Sequence, residues 1–376
     1  MVAGEASGDL LAGLLLDGVR ARWPQALTQG IGAAQMRARG FDAWWPSDKL
    51  AVSGYVEALR HYREILGIRN QLKARLLAKR PDLFIGVDAP DFNLDLEADL
   101  KAHGVKTMHF VCPSIWAWRP ERVQKIRRSV DHVLCLFPFE PALLAQHGIG
   151  ATYVGHPLAG VIPMEPDKRA AREQLGLPQE AQVLALLPGS RQSELRYLGP
   201  NFLGAAKLLL RQRPGARMLL PAAAGLQEQV HAMVRAADLQ VQVQVLSGRS
   251  HTALAACDVA LVASGTATLE AALFKRPMVI AYNMHWLSWR LMRHQQLQPW
   301  VGLPNILCQE FVVPEFIQEA ATPQALSHAL LQWLHADVQS PGKIPALQQR
   351  FAALHQELCR DTRRLAADAI EKILPS

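Results

Sequence analysis

Short apolar runs recur along the chain: "LFIGVD" (83–88), "KTMHFV" (106–111), "HVLCLF" (132–137), "VLALLP" (183–188), "ARMLLP" (216–221), "VALVAS" (259–264) and "PMVIAY" (277–282). Helix-period segments separate them, among them Glu57–Lys79, Leu198–Gln212 and Leu226–Ala237. Strands that are apolar on both faces and alternate with helices predict parallel sheets covered on both sides, an α/β architecture. The runs are too many for one compact sheet. The natural break lies near 157–168, where "HPLAGVIPMEPDK" places three prolines between two strand–helix series. The pattern therefore predicts two doubly wound, Rossmann-like domains, 1–160 and 161–344, facing each other across a cleft. The last segment, 345–376, carries one long amphipathic helix pattern over Pro345–Leu374, expected to fold back on the first domain or to swap into a partner chain.

Composition narrows the class. At 376 residues, 50% hydrophobic and 19% charged, the chain is globular and long enough for two domains. Forty Lys and Arg against 33 Asp and Glu leave a net charge of +7, which favours an anionic partner: phosphorylated substrate, membrane surface or nucleic acid. Nucleic acid is the weakest of these, because the basic residues are dispersed and no reader motif is present. Five scattered cysteines without a C-x-x-C read as reduced thiols of a cytoplasmic protein. No metal-ligand spacing stands out among the 13 histidines. No apolar run approaches the roughly 18–20 residues of a spanning helix. Glu5 and Asp9 stand where a signal peptide would be basic and then apolar.

In doubly wound sheets ligands sit beyond the carboxyl ends of strands, so the strand-end loops carry the candidate chemistry. Four stand out. In "MVAGEASGDL", Gly4 and Gly8 let backbone approach a ligand, and Glu5, Ser7 and Asp9 lead into a helix; the same residues also read as a capped turn. A strand ending after Val2-Ala3 is short, so either β1 is brief or the reading frame begins upstream. In "GVDAPDFNL" (86–94), Asp88 ends a strand as a candidate proton acceptor, while Asp88 or Asp91 equally reads as a helix cap. In "ALLPGSRQSEL" (185–195), Gly189, Ser190 and Arg191 combine close backbone approach, a hydroxyl and a guanidinium fork suited to phosphate oxygens. It is neither a Walker A loop nor G-x-G-x-x-G. In "VASGTATLEAAL" (262–273), Ser264, Gly265 and Thr266 supply further small donors. Glu270 is placed either to accept from ribose hydroxyls or to complement the helix dipole. The last two loops share a domain and together predict a nucleotide diphosphate site there.

The ordered series "VAGEASGD", "GVDAPDFN", "PSIWAWR", "VGHPL", "LLPGSRQSEL", "SGTATLEAAL" and "LPNIL" resembles that of the lipid-A-disaccharide synthases across almost the whole chain. The resemblance implies the GT-B fold. It implies an inverting transfer from UDP-2,3-diacylglucosamine to 2,3-diacylglucosamine 1-phosphate, with a β-1,6 link formed and UDP released. It further implies no metal or other cofactor, and a peripheral place on the cytoplasmic face of the inner membrane of a Gram-negative cell. Carried onto this chain, Asp88 matches the family's general base and Arg191 the arginine that stabilises the leaving diphosphate. Glu270 would hold the ribose, and Asn305 matches an asparagine near the donor. Gly4, Glu5, Ser7, Gly8 and Asp9 would line the acceptor side. His156, in "VGHP", is either structural or a donor contact.

The chain departs from the family at "GIGAAQM" (30–36), where Ala33, Ala34 and Gln35 replace the usual Gly-Gly-Pro, and at Cys112 and Gly160. Because the substrates are acylated, "HWLSWRLMRHQQLQPW" (285–300) is a candidate membrane or acyl contact through Trp286, Trp289 and Trp300 beside Arg290 and Arg293; residues 56–80 form a second basic, apolar candidate. The competing readings are a UDP-N-acetylglucosamine 2-epimerase, another UDP-sugar glucosaminyltransferase such as one acting on a peptidoglycan precursor, and a catalytically silent lipid- or nucleotide-sugar-binding protein. The N-terminal motifs discriminate against the first two. A homodimer is among the open oligomeric states.

Overall fold

A computed structural model describes residues 1–4, 6–47, 50, 55–117, 120–285, 289–290 and 297–374. Two compact units result: Met1–Pro157 with Glu357–Ser376, and Leu158–Gln356.

The first unit holds a seven-stranded parallel sheet: β1 (Val2–Ala3), β2 (Gln29–Gly32), β3 (Asp42–Pro46), β4 (Leu83–Val87), β5 (Lys106–Phe110), β6 (His132–Cys135) and β7 (Gly150–Tyr153), in the order β3-β2-β1-β4-β5-β6-β7. The two-residue β1 is fully buried and pairs with β2 and β4 on its two sides. Helices cover both faces. Ala6–Arg22 and the C-terminal Thr362–Ile373 share a core with β1, β4 and β5, through Leu15, Leu16, Val87, Phe110 and Ile370. Tyr55–Ala78 and Pro90–Ala102 build the opposite core through Leu72, Leu76, Phe84 and Leu96.

The second unit repeats the plan with six parallel strands: β8 (Val183–Leu187), β9 (Arg217–Ala222), β10 (Val243–Ser247), β11 (Val259–Ala263), β12 (Met278–Tyr282) and β13 (Glu315–Ile317), ordered β10-β9-β8-β11-β12-β13. β8 and β11 are buried along their whole length, as central parallel strands must be.

The strand order reverses between β1 and β4 in one sheet and between β8 and β11 in the other. These are the topological switch points, where loops diverge to opposite faces and leave a crevice. The four candidate loops follow these four strands.

The C-terminal segment is not one helix. Lys343–Leu358 and Thr362–Ile373 are separate, broken at 359–361, where Asp361 caps the second by accepting from the Arg364 amide at 3.1 Å. A helix-period pattern runs through the break because both halves bury an apolar face, so periodicity alone did not reveal it. The second helix lies along Ala6–Arg22, where Arg22 pairs with Asp368 and Glu371 at 2.5 Å each. Gly18 makes room for this approach, since a Cβ there would collide with the Arg363 carbonyl.

Candidate functional site

At the switch point of the second unit lies a cavity of about 550 Å³, lined by Gly189, Ser190, Arg191, Ser264, Gly265, Thr266 and Glu270 from the β8 and β11 loops. All seven residues that the sequence assigned to these two loops are thus brought together. Gly189 sits at φ 119°, in the left-handed region, and a Cβ would strike the Glu194 carboxylate, so glycine is required on both counts. Glu194, which no strand-end motif marks as a ligand contact, also lines the cavity. Its Oε2 accepts from the Ser190 and Arg191 amides at 2.9 and 3.2 Å, closing a capping box at the start of the helix Gln192–Gln212. The Arg191 guanidinium is two-thirds exposed and lies 4.0 Å from Glu194, which leaves its donors facing solvent at the cavity. Across from it, the helix Thr266–Leu273 begins at the cavity wall, where first-turn amides lack intrahelical partners.

Glu270 is largely covered and sits 3.7 Å from His251 Nε2. That carboxylate raises the His251 pKa above the ordinary histidine value. Ser264 donates its hydroxyl to the Val301 carbonyl at 2.8 Å, tying the β11 loop to the segment that opens the helix Leu303–Cys308.

Asn305 does not reach the cavity. It is fully buried: Nδ2 donates to the Val313 carbonyl at 2.9 Å and to Glu315 Oε1 at 2.8 Å, and Oδ1 accepts from the Val313 amide at 3.1 Å. Glu315 in turn accepts from the Val301 and Gly302 amides at 2.9 Å each, and burial raises its pKa above the usual carboxylate value. Asn305 and Glu315 therefore hold the segment to which Ser264 is bonded. No local pattern marks Glu315, whose role depends on a turn between residues ten apart.

In the first unit the β1 and β4 loops touch. A Cβ on Gly4 would lie 3.1 Å from the Ala89 Cβ, and one on Gly8 would lie 3.4 Å from the Val87 carbonyl. Ser7 is exposed; Glu5 lies outside the described residues. Asp9 is 3% exposed. Its carboxylate accepts from the amides of Ala33, Gln35 and Met36 at 2.7, 2.8 and 3.3 Å. Asp9 thus anchors the altered "GIGAAQM" turn, a use of its carboxylate within the fold.

Asp88 is half-buried just past the carboxyl end of the central strand β4, its amide bonded to the Phe110 carbonyl at 2.9 Å. Neither Asp88 nor Asp91 caps the following helix: Ala89 is the N-cap residue, with no side-chain cap. Asp91 is exposed and pairs with Arg122 at 2.8 Å. Asp88 and Ala89 occupy the left-handed region at φ 53° and 43°, a conformation costing roughly 1–2 kcal/mol per non-glycine residue. Strain of this kind is retained where the surroundings over-determine it.

His156 stacks on Phe137 with centroids 5.8 Å apart, and burial pushes its pKa down to about 4. Nearby, Trp116 of the "PSIWAWR" motif donates to Glu140 at 3.0 Å, and burial pushes the Glu140 carboxyl up to about 7. Of the interfacial candidates, Trp289 and Trp300 are half-buried, Trp300 edge-on to Phe311 at 6.1 Å; Trp286 and Arg293 lie outside the described residues. Among the described residues, no group of three or more His, Cys, Asp or Glu is placed to share a metal ion, and no helix is long and apolar enough to cross a membrane.

The protein family described as lipid-A-disaccharide synthetase matches residues 1–370. The chain belongs to this family. It is 66% identical over 375 residues to the lipid-A-disaccharide synthase of Albidiferax ferrireducens, covering 100% of this chain and 96% of that one. It is 52% identical over 376 residues to that of Burkholderia vietnamiensis, with 100% and 95% covered. Lipid A disaccharide synthesis by glycosyl transfer is therefore its activity, and the epimerase and silent-binder readings are not favoured. Solved structures place the fold among the GT-B glycosyltransferases. The MurG of Acinetobacter baumannii superposes with a TM-score of 0.58 at 13% identity, covering 99% of this chain and 98% of that one. The UDP-GlcNAc 2-epimerase of Neisseria meningitidis, solved with UDP-GlcNAc, gives 0.61 at 11% identity, covering 98% and 96%.

Proposed function

We propose that the second unit binds UDP-2,3-diacylglucosamine and the first unit 2,3-diacylglucosamine 1-phosphate. The observation that supports this most is the placement of all four motif loops at the two switch points, where Asp88 caps no helix and, among the described residues, pairs with no cation. The donor diphosphate takes the β8 and β11 loops, with Arg191 as its charged clamp. Glu270 accepts from the ribose hydroxyls. Asn305 acts at one remove, by holding the segment bonded to Ser264.

In the transfer, the Asp88 carboxylate accepts the proton of the acceptor 6-hydroxyl as that oxygen forms its bond to the donor anomeric carbon. The carbon–oxygen bond to the β-phosphate breaks on the opposite side, UDP departs with the electron pair, and the configuration inverts. Arg191, the Ser190 hydroxyl and the first amides of Thr266–Leu273 meet the charge that grows on the diphosphate. Acyl chains place the work at a membrane surface. Trp289, Trp300 and the exposed Phe311 and Leu297, with Arg290 beside them, are the residues proposed to touch it.

The test is UDP release from UDP-2,3-diacylglucosamine with and without acceptor, in EDTA, for the natural chain and Asp88→Asn. Acceptor-dependent release that survives EDTA and falls by about 10²–10⁴ in the variant supports the assignment. Unchanged release by Asp88→Asn removes Asp88 from the role of base.

A further inference from the structure

Two consecutive non-glycine residues, Asp88 and Ala89, hold left-handed backbone at the very point where a base is needed. Their surroundings must therefore supply a specific restraint. One turn into the next helix stands Asn93, fully buried. Its Nδ2 donates to the Asp88 carbonyl at 2.8 Å and lies 3.4 and 3.5 Å from the carbonyls of Val2 on β1 and Val87 on β4. One amide nitrogen thus sits where the two central strands part. Its Oδ1 is buried and has no hydrogen-bond partner among the described residues. A buried oxygen left unsatisfied is costly, and an apolar side chain of the same shape would avoid that cost. What the position gains from asparagine is the donor.

The helix is seated to bring that donor in. Gly86, on β4 beneath it, has no side chain; a Cβ there would press Asn93 Cβ at 2.8 Å and collide with Glu97. Glu97, one turn beyond Asn93, is fully buried and bonds His109 Nδ1 on β5 at 2.8 Å. The polar stripe Asn93–Glu97 therefore lies flat on the sheet over a glycine, pinned at its far end by His109.

We infer that Asn93 is a positioning residue for Asp88: its side-chain amide clamps the left-handed turn and so sets the aim of the Asp88 carboxylate beyond the carboxyl end of β4, without touching substrate. The inference rests on Asp88 as the base. It separates Asn93 from ordinary helix packing by one consequence: whatever makes the left-handed turn easier replaces the clamp. Glycine adopts that conformation without penalty.

The experiment compares Asn93→Leu, Ala89→Gly and the double variant in the acceptor-dependent UDP-release assay, with circular dichroism and urea unfolding as the check on folding. Asn93→Leu is expected to lower kcat at least tenfold with acceptor KM within twofold, since aim of the base is felt in the transition state. Ala89→Gly alone is expected to leave kcat within twofold, and in the double variant to restore kcat at least threefold over Asn93→Leu. Natural kcat in Asn93→Leu, or a loss that Ala89→Gly does not relieve, overturns the clamp. If Asn93→Leu loses the unfolding transition of the natural chain, Asn93→Ser carries the same comparison. Asp88→Asn run alongside separates the two readings: its full activity overturns the base, whereas a silent Asp88→Asn beside a fully active Asn93→Leu overturns the clamp alone.

Discussion

Glu194 Oε2 accepts a hydrogen bond from the Ser190 amide at 2.9 Å, so a carboxylate of the protein occupies a backbone donor at the mouth of the donor cavity. The same contact stiffens the loop and places a negative charge where a diphosphate is to bind. These two effects oppose each other. Glu194→Gln keeps an oxygen acceptor for the loop and removes the charge. It is expected to tighten UDP binding about threefold, or about 0.6 kcal/mol at a partly exposed site. Titration calorimetry with UDP reads this, and a tenfold loss instead would show that loop stiffness dominates.

Arg191 is not interchangeable with lysine here. A planar fork can meet two phosphate oxygens at once, and an ammonium meets them as a point charge. Arg191→Ala is expected to cost about 10²–10³ in kcat, with Arg191→Lys intermediate. Steady-state kinetics at saturating donor decide it, and equal rates for the lysine and natural chains would remove the bidentate role.

Glu140 makes stability depend on pH. Its carboxyl rises from an ordinary 4.5 to about 7 through burial, so the native state holds a proton that the unfolded chain releases earlier. The stabilisation is complete below about pH 4.5 and is lost as pH rises through about 7. Glu140→Gln cannot release a proton. Its stability relative to the natural chain is expected to improve by about 3 kcal/mol from pH 4.5 to pH 8, whatever its offset at acid pH. Urea midpoints at the two pH values measure the change, and a constant gap between the two proteins would count against it.

Trp289→Ser with Trp300→Ser is expected to weaken sedimentation with anionic phosphatidylglycerol vesicles severalfold while sparing UDP binding. Binding equal to that of the natural chain would exclude this segment as the membrane contact.

The legibility of the fold followed strand position. The seven apolar runs named from sequence became β4, β5, β6, β8, β9, β11 and β12, each within two residues at either end. β3, β7, β10 and β13, which sequence left unnamed, are the four edge strands. Edge strands face water on one side and need no continuous apolar run: "DAWWP" in β3 has no fully buried residue. β2, "QGIG", is internal but carries two glycines in four residues, which hides its periodicity. Site residues divided by the range of their contacts. Gly189, Ser190, Arg191, Ser264, Gly265, Thr266 and Glu270 were readable because each lies in or just beyond a strand end. The embedding of Asn305 with Glu315, and of Asp9 with the turn at Ala33, was not, because it depends on partners 10 and 24 residues away.

The return of Thr362–Ile373 to the first unit has a consequence for how the chain is made. Ala366, Ala369 and Ile370 complete the core around Leu15 and Leu16, yet they leave the ribosome after the whole of Leu158–Gln356. The second unit is continuous in sequence and can close on itself while the first still exposes an open apolar face. The N-terminal half of this chain therefore finishes folding last, and a chain interrupted at the 359–361 break would be born with that face uncovered.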